Sequence, residues 1–166
     1  SELPALLLCL DGAVVVRSRA GTRQIAAGDF FQGPLMTALR SDELITETHW
    51  RLPDPGMGWG FHEVARRHGD FALVGAVAVI TSHGGRIASA RLAIFGAGSS
   101  AVRAPAAERA LTGQVPSPTL LDEAAAAVSE SLDPHSDLHA SAAYRRRVAG
   151  TLAARALTDA LTRTTA

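Results

Sequence analysis

Titratable side chains crowd the stretch GFHEVARRHGDFALVGAVAVI, residues 60–80, where His62, Glu63, Arg66, Arg67, His68 and Asp70 run straight into a mostly apolar tail. Imidazole titrates near neutrality and a carboxylate can orient it, so His62, Glu63, His68 and Asp70 could serve general acid–base chemistry. No nucleophile with a supporting motif accompanies them: the sequence holds no G-x-S-x-G, and Cys9 sits in an apolar run. An exposed strand end with paired charges is the simpler reading. A second cluster, HSDLH, sets His135, Asp137 and His139 close together, a ligand set that zinc or iron accepts. It precedes a helix start, where Asp and Ser most simply cap free backbone N–H groups. FGAGSS, residues 95–100, comes nearest to a phosphate cradle, but it lacks the P-loop lysine and the full G-x-G-x-x-G pattern. Arg145, Arg146 and Arg147 occupy consecutive helix positions and spread around the helix, which reads as a solvated or partner-facing surface.

The elements that would position these groups follow from periodicity. Residues 3–10 read as a short apolar helix ended by DG, and AVVVRS and TRQIAA flank RAG as a hairpin. GDFFQGPLMTAL is loop-like, with Gly28, Gly33 and Pro34 as breakers. DELITETHWRLP alternates as a strand that Pro53 ends, and the Pro- and Gly-dense PDPGMGWG marks a lobe boundary. WGFHEVARR fits strand or helix. DFALVGAVAVI is apolar at both parities, as a strand buried on both faces would be, and RIASARLAIFGAG returns antiparallel to it after the SHGG turn. Three helices follow: one begun by Pro105 and closed by Gly113, one capped by Ser117 ahead of Pro118, and the long SAAYRRRVAGTLAARALTDALTR. Its Tyr144, Val148, Leu152 and Leu157 or Leu161 fall on one side. The fold class is α+β.

Composition narrows the function classes. With 47% apolar and 19% charged residues in 166, burial can offset chain entropy, so wholesale disorder is excluded. The 16 basic and 16 acidic residues cancel, leaving no electrostatic case for nucleic acid or an anionic membrane. A lone cysteine rules out an intrachain disulfide and a thiolate cluster, which fits a cytoplasmic setting. The start SELPALLLCLDG has no basic region ahead of its apolar run, and Asp11 closes that run, so neither a signal peptide nor a membrane span is expected. The abrupt opening reads as a piece of a larger polypeptide.

The order of SELPALLLCLDGAVVV, GTRQIAAGDFFQG, TALRSDELITE, FHEVARRHGDFALVGAVAV, GGRIASARLAIFGAGSSAVRAPAAERALTG and DLHASAAYRRRVAGTLAARAL resembles the FAD-binding medium subunit of the molybdenum hydroxylases, the family of carbon monoxide and xanthine dehydrogenases. The resemblance covers the C-terminal portion of such a subunit. It implies that residues 1–54 end an FAD-binding domain of antiparallel sheet with helix. Residues 55–166 would then be a flavoprotein C-terminal domain, a three-stranded antiparallel sheet backed by a three-helix bundle. An N-terminal half with two glycine-rich loops would hold the FAD pyrophosphate.

By the same resemblance, Leu44 and Ile45 match the segment lining the flavin ring, and Glu2 matches an aspartate near the ribityl chain. His62 and Glu63 stand where a lysine commonly contacts the cofactor. No catalytic residue or metal ligand is expected on this chain. The implied function is electron transfer: a substrate is hydroxylated at a molybdenum cofactor in a large subunit, and electrons pass through 2Fe–2S clusters in a small subunit and through FAD to an acceptor. The alternative is a non-catalytic docking or scaffold module that binds partner subunits without holding flavin.

Overall fold

The apolar run after Glu2 winds into helix α1 (Glu2–Cys9). It stops where Asp11 takes a φ of +50° while Asp11 and Gly12 donate back to Leu8 O and Leu7 O, a Schellman closure. The computed structural model describes residues 2–52, 54–67 and 69–164; His68 and Pro53, read above as a candidate acid–base group and a strand terminator, lie outside them. Strands β1 (Ala13–Ser18) and β2 (Gly21–Ala26) form the expected hairpin, with Val14 opposite Ile25 and Val16 opposite Arg23.

The segment expected as loop is ordered into a single helical turn, α2 (Ala27–Phe30), and a small hairpin, β3 (Phe31–Gly33) with β4 (Met36–Thr37). Its breakers are real, but Phe30 is buried and packs edge-on against Phe31 at 5.1 Å, which pins the turn to the core. Strand β5 (Leu44–His49) then pairs with the other side of β1, giving the order β2-β1-β5.

Beyond the Pro/Gly segment, β6 (Gly58–Val64), β7 (Val74–His83), β8 (Arg86–Phe95) and β9 (Val102–Arg103) form an antiparallel sheet in sequence order. The sheet therefore has four strands rather than the expected three; β9 contributes two pairs on the outer side of β8, too short to register as a strand by pattern. Helices α3 (Pro105–Leu111), α4 (Pro118–Ser131) and α5 (Ala142–Arg163) follow, with Ser117 and Ser141 accepting from the N–H of Leu120 and Tyr144 as N-caps.

The α+β fold has two apolar clusters that meet at β7 and β8. Val74, Ala76, Ala78 and Ile80 face the helices together with Leu111, Val128, Leu152 and Leu157. Val77, Val79, Ala93 and Phe95 face the other way, into a cluster with Ala5, Leu7, Leu8, Val14, Val16 and Phe30. The both-parity apolar run of β7 thus serves two cores at once. Ion pairs reinforce that contact. Asp11 accepts from Arg91 Nη1 at 2.8 Å and Arg103 Nη1 at 2.6 Å, and Glu108 in turn pairs with Arg103 Nε at 2.6 Å. Partial burial opposes the charge on Asp11, but these guanidinium hydrogen bonds outweigh it and hold the carboxyl below its ordinary range. Among the described residues, no helix is long and apolar enough to cross a membrane.

Candidate functional site

The sequence GWGF at the start of β6 sorts its residues by face. Gly58 and Gly60 lie directly against α5: a Cβ on either would overlap the carbonyl oxygen of Ala160 or Ala156. Helix and strand backbones therefore touch, and the intervening aromatics are directed to the opposite face. There Trp59 and Phe61 pair with Val79 and Val77 of β7. These four side chains, with Met57, with Glu2 and Leu6 of α1 and with Leu10 just beyond it, line an apolar groove of about 480 Å³. Phe61 is backed by Phe95, with ring centroids 5.8 Å apart and planes inclined by 28°, and Phe95 itself fills the space over Gly75. Glu2 adds to the lining from the first turn of α1, and the surface that the groove presents is apolar.

This lining suits a flat aromatic ligand. The walls are aromatic and aliphatic, and the volume lies within the range of small-molecule clefts. Among the described residues the lining includes no arginine, lysine or glycine-rich turn for a pyrophosphate.

Of the residues proposed from sequence, Glu2 lines the groove. Strand alternation carries Glu63, opposite Gly75, to the Trp59 and Phe61 face, where it is exposed. His62 goes the other way. Its Nε2 lies 3.1 Å from Asp159 Oδ2 of α5, so it locks β6 to the helix layer and does not share a face with Glu63. That alternation sends His62 and Glu63 to opposite faces of β6.

Leu44 and Ile45 stand outside the groove's lining, on the outer strand of the β2-β1-β5 sheet, 74% and 48% exposed. A bulge re-aims them: Glu47 pairs with Val15 and Ile45 with Val16, leaving Thr46 as the extra residue. Their approach is fixed by Glu43, which accepts from Arg23 Nε at 2.7 Å and Nη2 at 2.8 Å, and from the Arg40 N–H at 2.8 Å. The Arg23 guanidinium, then the Arg40 amide, holds the Glu43 carboxyl down at about 2.

Two of the remaining candidates, Asp137 and Arg145, have structural partners. Asp137 accepts from the backbone N–H groups of His139 and Ala140 and pairs with Arg145 at 2.6 Å. Among the described residues no group of three His, Cys, Asp or Glu side chains could hold a metal ion. Arg145 is not a surface residue: 8% exposed, it donates to Leu73 O at 2.6 Å and Gly96 O at 2.8 Å, so the FGAGSS turn is occupied in holding an arginine. Sequence reasoning missed Trp59, Phe61 and Glu43. The alternation of glycine with aromatic at positions 58–61 is the signal that could have found the first two.

Comparison with known proteins assigns both parts of the chain. Residues 59–160 match the CO dehydrogenase flavoprotein C-terminal domain, and residues 1–54 match the FAD binding domain in molybdopterin dehydrogenase. The nicotine 6-hydroxylase medium subunit of Paenarthrobacter nicotinovorans is 41% identical over 163 residues, 98% of this chain and 57% of that protein. The carbon monoxide dehydrogenase medium chain of Afipia carboxidovorans is 31% identical over 163 residues, 98% of this chain and 57% of its own length. The structure of carbon monoxide dehydrogenase from Hydrogenophaga pseudoflava lacking the Mo-pyranopterin moiety superimposes with a TM-score of 0.94 at 32% identity, covering 98% of this chain and 56% of that one. The chain thus spans a little over half the length of these relatives. It belongs to the CO dehydrogenase flavoprotein family and corresponds to the C-terminal portion of an FAD-binding medium subunit of the molybdenum hydroxylase type.

Proposed function

We propose that the chain forms one wall of a flavin site in the electron-transfer subunit of a molybdenum hydroxylase complex. The observation that carries this reading is the position of the apolar groove at the seam of the two family matches. Glu2, Leu6 and Leu10 come from the FAD-binding match, and Trp59, Phe61, Val77 and Val79 from the flavoprotein C-terminal match. The domains proposed are 1–54 and 55–166. Bound FAD supplies redox chemistry in one- or two-electron steps. The chain's own residues do the rest: Glu2 accepts from ribityl hydroxyls, Leu44 and Ile45 exclude water from a ring edge, and Glu63 sets the local charge. His62 contributes by holding β6 in register against α5. An N-terminal half supplies the pyrophosphate contacts that the groove lacks. In the assembled, cytoplasmic complex the subunit lies between the 2Fe–2S clusters of a small subunit and an electron acceptor, with the molybdenum cofactor in a large subunit.

A second reading, a scaffold module that binds partner subunits without flavin, draws on the exposure of all six residues of β5. Visible absorption of the purified complete subunit separates the two. A flavin spectrum that survives gel filtration supports the first reading, and a folded, colourless protein that takes up no added FAD supports the second. Ile45→Asp is expected to lower flavin content about tenfold in a folded protein; unchanged content would remove Ile45 from the site.

A further inference from the structure

Trp59 is 54% exposed on the outer strand of its sheet, yet it is held in place from three directions. Its carbonyl oxygen accepts from Arg163 Nη1 at 2.6 Å. The same guanidinium lies 4.2 Å from the centroid of the indole, in cation–π contact. Arg163 is steadied in turn by Asp159, 3.3 Å from its Nη2, which also holds His62. Gly58 and Gly60 on either side carry no side chain, so the last turn of α5 can press against the strand and reach round it. An aromatic ring clamped by a cation on one side while bordering a hydrocarbon groove is a preorganised surface for another ring. Phe61 lies two residues further on the same face, about 7 Å along the strand. Together the two rings can span a fused aromatic system, where a flexible aliphatic chain would need no such rigidity.

Resting on the flavin reading above, we propose that Trp59 is a direct aromatic contact of the flavin ring and that Arg163 is its positioning residue, with Asp159 and His62 completing the clamp. The indole then sets the ring's seat, and the arginine sets the indole.

The chain has two tryptophans, Trp50 and Trp59. Trp50→Phe therefore leaves Trp59 as the only tryptophan of these 166 residues, and in the isolated complete subunit any background from the rest of the subunit is measured with the Trp50→Phe/Trp59→Phe double variant. Trp59 emission and lifetime are recorded with FAD bound, after its removal, and after FAD is restored. The expected result is strong quenching by bound FAD, reversed on removal, together with a shift of the flavin's own visible absorption band that Trp59→Ala removes, because ring contact perturbs the flavin where energy transfer over a distance does not. Arg163→Gln should relieve part of the quenching and alter the visible circular dichroism of the flavin, and Trp59→Ala should weaken FAD retention about tenfold. Unchanged Trp59 emission in a protein whose spectrum shows full FAD occupancy overturns the contact and leaves the flavin reading standing. A folded protein that takes up no FAD overturns both.

Discussion

Arg145 shows how one residue can be misread from its neighbours. Three consecutive arginines on a helix look like a charged surface, yet successive residues turn by about 100°, so a helix packed on one side must bury one of them. Here it is Arg145, whose head group supplies donors to Leu73 O and Gly96 O and pairs with Asp137. Arg146 donates to Leu132 O, and Arg147 stays exposed over the Tyr144 ring. The arginine ties the strand entering β7, the turn leaving β8 and the lead-in to α5 into one knot. Arg145→Met leaves two carbonyls and a carboxylate without their donor, and is expected to destabilise the fold by roughly 3 kcal/mol, read from urea unfolding. Cys9, by contrast, was legible as a core residue from its apolar surroundings. Burial pushes its thiol up to about 12, against the pull of Arg103 and Arg91.

Among the elements, β6 carries the most functional consequence and was the least legible. WGFHEVARR fits either period when apolar residues are counted, because glycine counts as neither apolar nor polar. The strand becomes evident once Gly58 and Gly60 are taken as a face in their own right, the one on which α5 lies. Gly60→Val puts branched carbon into the Ala156 carbonyl; it is expected to part α5 from β6, cost about 3 kcal/mol, and abolish the near-ultraviolet signal of Trp59. A variant with unchanged melting temperature would show that the helix yields freely. β5 was legible as a strand but not in its exposure, since the bulge at Thr46 and the lack of a covering element among the described residues depend on tertiary context. α2, β3 and β4 were hidden because breakers in sequence do not reveal that Phe30 anchors the turn. The helix caps at Ser117 and Ser141 and the pairing of β7 with β8 could be read directly, because cap chemistry and a both-parity apolar run are local signals.

At the scale of the whole molecule, acid stability rests on carboxylates tied to cations and amides. Glu43 is held at about 2 against an ordinary 4.5, chiefly by Arg23, and Asp137 at about 2 against 3.8, chiefly by the Ala140 and His139 amides. Each depressed value stabilises the folded state fully above the ordinary pKa, and that contribution is lost as pH falls towards 2. Denaturant unfolding between pH 6 and 2 should therefore steepen below 4.5, and Glu43→Gln with Asp137→Asn should flatten that limb by up to about two protons. An unaltered slope would place the acid sensitivity elsewhere. The Pro/Gly segment between β5 and β6 reads as a boundary, and in sequence terms it is one. In three dimensions Val77, Val79, Ala93 and Phe95 of the second part complete the core of the first, and Arg91 and Arg103 reach across to Asp11. Two bodies that share one strand pair as common wall have no axis to swing about. The groove between α1 and β6 cannot open and shut like a jaw, and a ring seated there keeps a constant position against both of its walls.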